Sequence, residues 1–172
     1  MGNAGYIHVL RDLISRIRSL ATVHSMLSAR NWQPLEISNL CEQIIQAIIL
    51  GLPSNQKVFL TVDHSSLKIN SNQAHHLTLV INELATNSVK YGLNDGNGVI
   101  EVKIQEIEGR IHLVFRDNGP GYPESMIHGD FGVVNIGFEL IKGIVTQSLD
   151  GELLLRNEDG AVTEILFANE IS

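Results

Sequence analysis

Four side chains between Asn82 and Gly92 have the types and spacing for chemistry on a phosphate group. On a helix, Glu83, Asn87 and Tyr91 stand at i, i+4 and i+8, with Lys90 one step away. A carboxylate, an amide, an ammonium and a phenol therefore share one edge. Leu77, Val80, Ile81 and Leu84 form the adjoining apolar stripe. A core-facing helix that keeps such groups beside its buried stripe reads as the wall of a polar site, and the groups suit a metal-bound polyphosphate. Gly92 is placed to close the helix as a C′ glycine.

Three segments downstream add to this. Asp117-Asn118-Gly119-Pro120-Gly121 follows directly on an expected strand. Alone it reads as a turn. Beside the polar helix, Asp117 can accept a hydrogen bond from an exocyclic amino group, while Gly119 and Gly121 leave bare backbone for a flat base. The stretch Gly132 to Ile141 leads glycines, including Gly137, into a helix start whose N–H groups favour phosphate, with Asn135 available as N-cap. It matches neither the P-loop nor the dinucleotide fingerprint. Thr163, on a strand after Gly160, reads either as completing base recognition or as satisfying a neighbour.

The elements that must position these residues follow from periodicity. Leu10, Leu13, Ile17, Leu20, His24 and Leu27 alternate spacings of three and four, the pattern of a short coiled-coil or bundle seam, with His24 as a polar register-setting residue. Pro34 breaks the chain before a second helix, Leu35 to Leu52, which Gly51 and Pro53 end. Lys57 to Val62 has strand composition, Ser65 to Asn70 is a second short strand, and the polar helix runs from Ser71 to Tyr91. Gly92 to Gly98 is turn chemistry throughout. Val99 to Ile107 and Arg110 to Arg116 form a hairpin joined at Glu108-Gly109. The Gly/Pro-rich loop from Asp117 to Phe131 is longer than a simple connector. A helix from Ile136 to Leu149 and a hairpin of Gly151 to Arg156 with Ala161 to Phe167 complete the chain. This order predicts an α+β fold, with a helical segment over residues 1–52 and an α+β domain over 53–172.

The composition fits a folded chain with a sizeable core: 172 residues, 44% hydrophobic and 18% charged. A net charge of −7 argues against nucleic acid or an anionic membrane as partner. Lone Cys41 excludes a disulfide framework and a multi-cysteine zinc site. Apolar runs such as Ile44 to Leu52 are too short to span a bilayer, and no signal peptide is recognised at Met1, so a cytoplasmic location is expected.

Taken in order, the four segments resemble the N, G1, G2 and G3 boxes of the Bergerat-fold (GHKL) ATPases. That superfamily holds sensor histidine kinases, gyrase- and Hsp90-type ATPases, MutL-type repair proteins and related serine kinases. Glu83-Leu84-Ala85-Thr86-Asn87-Ser88-Val89-Lys90-Tyr91 resembles the histidine kinase N box that reads Glu-Leu-x-x-Asn-x-x-Lys-Tyr. Arg16 to Leu27 resembles the second helix of that group's dimerisation module, and Gln147 to Leu153 its helix-to-strand exit. The resemblance implies a Bergerat-type two-layer α/β sandwich, a mixed sheet with helices on one face, preceded by an N-terminal helical segment.

It also implies roles. Asn87 would ligate Mg²⁺ through its amide oxygen, beside the phosphates of ATP and retained waters. Glu83 would be the general base or the group that orients it, Lys90 would neutralise phosphate charge, and Tyr91 would line the nucleotide pocket. Asp117 would read the adenine amino group, with Gly119 and Gly121 giving the base room and Thr163 supporting Asp117. Residues 122–135 would be the ATP lid, and Gly137 would let the phosphates approach the next helix. The function implied is transfer of the ATP γ-phosphoryl to a histidine, with a homodimer through the N-terminal helix and a response regulator as downstream partner.

This sequence departs from the family pattern in three places. Many histidine kinases carry Asn where Glu83 stands. The lid has no Lys or Arg between Gly121 and Gly137, so a phosphate-holding cation must come from Lys90, Lys142 or another chain. No histidine fits the acceptor pattern: His8-Val9-Leu10-Arg11 lacks the following proline and room for a first helix, and His24 matches a second-helix position. His75 and His76 diverge by about 100° on a helix, and His64, His112 and His128 lack ligand spacing. The acceptor is expected on a missing upstream helix or another protein, and this chain is expected to bind ATP without autophosphorylating. The alternatives are a nucleotide-dependent, non-enzymatic binding or regulatory module, or an anti-sigma-type serine kinase.

Overall fold

Period-two patterning and one long amphipathic helix together set the architecture. The computed structural model describes residues 3–92, 97–129 and 136–171. Along the chain run α1 (Asn3–Ala29), β1 (Leu35–Glu36), α2 (Ile37–Ile49), β2 (Lys57–Val62), β3 (Lys68–Ile69) and α3 (Ser71–Tyr91). There follow β4 (Asn97–Ile107), β5 (Arg110–Asp117), α4 (Glu124–Ile127), α5 (Ile136–Gly143), a π-helical turn (Ile144–Ser148), β6 (Glu152–Asn157) and β7 (Ala161–Ala168).

Five strands form one mixed sheet in the order β2-β4-β5-β7-β6. β2 and β4 pair in parallel, and the remaining neighbours are antiparallel. Ile100 and Val102 of β4, Ile111, Leu113 and Phe115 of β5, and Ile165 and Phe167 of β7 are buried in a core shared with α2, α3 and α5. The alternate residues turn to the other, polar face. There the Glu164 carboxylate accepts hydrogen bonds from Arg156 Nε (2.7 Å) and His112 Nε2 (2.9 Å). Helices over one face of a mixed α+β sheet are the architecture expected from the sequence.

β2 and α3 fall where periodicity placed them. α3 starts cleanly because the Asn70 side chain accepts the Gln73 N–H (2.9 Å), a side-chain N-cap. Other boundaries shift for identifiable reasons. α2 begins at Ile37, since Leu35 and Glu36 pair antiparallel with Ile69 and Lys68. The helix expected over Ile136 to Leu149 widens into the π-helical turn, in which the Leu149 N–H reaches Ile144 O (3.0 Å). Gly92 is the C-cap residue itself, at φ −97°, not a left-handed C′ glycine.

The seam expected along α1 divides in two. Val23 and Leu27 are fully buried in the common core, whereas Leu10, Leu13 and Ile17 are each about half exposed. α1 lays a polar row against α3 along its middle and feeds apolar side chains into the common core near its end. Asn31 and Trp32, both at positive φ, then turn the chain towards β1, with the Trp32 ring between those of His24 and His75.

This division is measurable. Leu27→Ala is expected to lower stability by about 2–5 kcal/mol in urea unfolding, as buried leucines do. Leu13→Ala should change it by less than about 0.5 kcal/mol. Equal losses would contradict the burial pattern.

Candidate functional site

The site is assembled around α3, where each residue advances about 100° around the helix axis. The polar edge expected from the sequence is split by that rotation. Asn82, Glu83 and Lys90 face α1, whereas Asn87, Tyr91, Leu84 and Ser88 turn towards a cleft of about 410 Å³. A volume of that size lies within the usual range for small-molecule sites. Leu84, Pro120, Tyr122, Pro123, Met126 and Phe138 give it mainly apolar walls. Asp117 and Ser88 supply polar groups at its floor.

Asp117 terminates β5 and is almost fully buried, with 9% of its surface exposed. A buried carboxylate is costly unless hydrogen bonded. The Ser88 hydroxyl donates to its Oδ2 (2.6 Å), and the N–H groups of Gly119 (2.9 Å) and Ala161 (3.3 Å) donate to its Oδ1. Helix α3, the loop after β5 and the start of β7 thus converge on one side chain. The approach is close enough that a methyl group on Gly119 would lie 2.4 Å from Gly92 Cα.

The loop after Asp117 is held by Asn157. Its side-chain amide accepts the Tyr122 N–H (2.7 Å) and donates to the Tyr122 carbonyl (2.9 Å), pairing with that backbone as a strand would. Gly121, at φ +85°, has no room for a side chain, because a methyl there would sit 2.6 Å from Asn157 Oδ1. The clamp directs the Tyr122 ring inward, edge-to-face on Phe138 at 5.2 Å. Its hydroxyl shares a hydrogen bond with Thr163 Oγ1 (2.6 Å). Burial pushes the Tyr122 phenol well above its ordinary pKa, so it stays neutral. Thr163 is itself fully buried and makes its hydroxyl contact with Tyr122, while Ser88 provides the hydroxyl on Asp117.

A polar cluster adjoins the cleft beside Asn87. Glu83, 6% exposed, binds Arg16 Nε through Oε1 (2.6 Å). Its Oε2 faces the start of α5, where a methyl built on Gly137 would lie 2.7 Å away and 3.9 Å from Asn87 Nδ2. The contact with Glu83 holds the Arg16 guanidinium above its ordinary pKa, against the opposing effect of burial. Asn87 lines the cleft, and its amide has no hydrogen-bond partner among the described residues. Lys90 pairs with Asp12 of α1 (2.5 Å) and does not line the cleft, and Tyr91, 69% exposed, stands at its mouth.

Of the expected site residues, Asn87, Tyr91, Asp117 and Gly121 line the cleft, Glu83 and Gly137 meet beside Asn87, Gly119 and Thr163 lie behind it against Asp117 and Tyr122, and Lys90 is directed to α1. Of the lid expected over residues 122–135, residues 130–135 lie outside the described residues, as does Asn135. α4 occupies part of the rest. His8 lies on α1, but its side chain is outside what is described. Sequence reading missed Ser88, Tyr122, Asn157 and Arg16. Ser88 alone carried a signal, as a hydroxyl next to Leu84 on the buried side of an amphipathic helix. Glu83 Oε2 and the Asn87 side-chain amide, one turn apart on α3, both face Gly137, and a carboxylate and an amide are donor types that Mg²⁺ takes together with retained waters.

This fold is that of an ATP-binding domain. Residues 72–170 match the family described as histidine kinase-, DNA gyrase B- and HSP90-like ATPase, and the chain belongs to that family. Residues 4–59 match the HWE histidine kinase family. The chain is 28% identical over 160 residues to a blue-light-activated histidine kinase of Brucella anthropi, covering 88% of this chain and 30% of that protein. It is 21% identical over 168 residues to the sensor histidine kinase PdtaS of Mycobacterium tuberculosis, covering 95% of this chain and 33% of the relative. It thus spans about a third of the length of these relatives. The histidine kinase domain of a blue-light-activated kinase from Erythrobacter litoralis has the same fold, with a TM-score of 0.73 at 20% identity, covering 92% of this chain and 75% of that one. So does Acinetobacter baumannii histidine kinase AdeS, with a TM-score of 0.68 at 17% identity over 97% and 82% of the two chains.

Removing the hydroxyl under Asp117 tests the floor of the cleft. Ser88→Ala is expected to cost about 1–3 kcal/mol in urea unfolding, because it leaves a buried carboxylate oxygen short of a donor. A loss below about 0.3 kcal/mol would show that Asp117 does not depend on this contact.

Proposed function

We propose that this chain is the ATP-binding catalytic part of a two-component sensor histidine kinase, transferring the γ-phosphoryl of Mg-ATP to a histidine on a helix or protein outside this sequence. The observation that carries the reading is that Asp117 and Asn87 both line one cleft of about 410 Å³ whose other walls are mainly apolar. An adenine between the walls directs its amino group to Asp117. Its triphosphate then runs towards Asn87, Glu83 and the start of α5.

The chemistry asked of this chain is chiefly positioning and charge stabilisation. Asp117 fixes the base, Asn87 holds the metal-bound phosphates through its amide oxygen, and Gly137 keeps the start of α5 bare so that they can approach. Mg²⁺, when bound, neutralises charge on the β- and γ-phosphates. The acceptor imidazole attacks the γ-phosphorus with a ring nitrogen lone pair, and the bond from that phosphorus to the β–γ bridging oxygen breaks. ADP leaves, and the acceptor ring gives up a proton. Glu83 stands at the phosphate end as the base that takes this proton or as the group that orients the ring.

The exposed row of Leu10, Leu13, Ile14 and Ile17 on α1 supports a homodimer through the N-terminal helix. A response regulator would receive the phosphoryl group downstream, in the cytoplasm. No helix of the described residues is long and apolar enough to cross a membrane.

Calorimetric titration with Mg-ATP should show binding that is lost in Asn87→Ala and in Asp117→Ala; wild-type affinity in both variants would refute the pocket assignment. With γ-labelled ATP and an acceptor helix from a sensor histidine kinase, label is expected on histidine, acid-labile and base-stable. Binding without any transfer would point to a nucleotide-dependent regulatory module.

A further inference from the structure

Among the described residues, the acidic group at the phosphate end is held from outside the nucleotide-binding elements. Asp12, Ser15, Arg16 and Ser19 lie at i, i+3, i+4 and i+7 on α1, one continuous polar row. Each meets α3. Asp12 pairs with Lys90 (2.5 Å), Ser15 and Ser19 donate to Asn82 Oδ1 (3.0 and 2.6 Å), and Arg16 pairs with Glu83 (2.6 Å). The opposite side of α1 exposes Leu13 and Ile17. The row therefore sets the rotation of α1 about its own axis relative to the site.

Glu83 is the hinge of this arrangement. It stands on the boundary between the face of α3 that meets α1 and the face that lines the cleft. One carboxylate oxygen is taken by Arg16, which leaves the other aimed at the start of α5 beside Asn87. A carboxylate free to turn about its terminal torsion would have no such fixed direction. Lys90, the cation of the N box, is engaged by Asp12, and the lid segment carries no Lys or Arg. Arg16 is thus the cation that the described structure brings to Glu83.

We propose that Arg16 is a positioning residue for phosphoryl transfer. From the helical segment, it fixes the Glu83 carboxylate in the direction chemistry requires, so that catalysis depends on how α1 is docked. The proposal rests on the function inferred above. Shifting the docking by one residue turns α1 by about 100° and offers Ser15 or Ile17 to Glu83 in place of Arg16. Movement of the helical segment would then change the rate of chemistry while leaving ATP binding, which depends on Asp117 and Asn87, in place.

The test compares the full chain with Arg16→Gln, Arg16→Lys and, as control, Arg18→Gln, an equal charge loss at an exposed position of the same helix. Mg-ATP affinity is measured by calorimetry, label transfer to an acceptor-helix protein at saturating ATP, and the Arg16 Nε–H signal by NMR. Arg16→Gln should keep its affinity within about twofold and lose at least about tenfold in transfer rate, the scale expected when a reacting group is misplaced. Arg16→Lys should recover part of that loss, and Arg18→Gln should match wild type. An unchanged or faster rate in folded Arg16→Gln, as judged by its melting curve, overturns the proposal. If wild type transfers no label, the functional reading fails separately, and Arg16 is judged by its resonance. A signal that is lost in Glu83→Gln and moved by Mg-ATP supports the coupling; one indifferent to both overturns it.

Discussion

The Asp117 carboxylate is the constraint on which the rest of the site depends. A nearly buried carboxylate needs its hydrogen bonds from several directions at once. Here they come from α3 through Ser88, from the following loop through Gly119 and from β7 through Ala161. Ionised, it offers about four acceptor positions, and these donors fill three of them. The position that remains belongs to a side chain lining the cleft. The same convergence explains the neighbouring glycines. Gly119 backs onto Gly92, and a methyl on Gly160 would meet the Asp117 carbonyl oxygen at 1.9 Å.

The second organising element is the rotation of α3. One helix buries Leu77, Val80 and Ile81 in the core, lines a cleft with Asn87 and Ser88, and meets α1 with Asn82, Glu83 and Lys90. The cleft and the contact with the helical segment lie on two sides of the same rod. Of the α3 residues that α1 holds, Glu83 is the one that also faces Gly137 at the start of α5.

Much of this was legible in the sequence because local patterning and tertiary structure agree. The apolar stripe and the polar edge mark α3, and the Glu108-Gly109 turn marks the hairpin of β4 and β5, whereas Asn70, the cap, reads in the sequence as the end of a strand. What was not legible depends on chain segments far apart. Ser88 and Asp117 are 29 positions apart, Tyr122 and Asn157 are 35, and Arg16 and Glu83 are 67. No periodicity reports which partner a hydroxyl or a guanidinium will find at such distances. The α1 seam shows the converse case. Its three-and-four spacing is real, but Leu27 enters this chain's own core while Leu13 stays at the surface, and spacing alone does not separate the two.

If Asp117 reads the amino group of adenine, as proposed above, the protein must distinguish nucleotides that differ only there. Inosine triphosphate keeps the sugar and phosphates of ATP but carries an oxygen acceptor in place of the amino donor. Calorimetric titration of the intact chain should show Mg-ITP binding at least about tenfold more weakly than Mg-ATP, the value of one buried, charge-assisted hydrogen bond. Equal affinities for the two nucleotides would contradict the assignment of Asp117 as the base-reading residue.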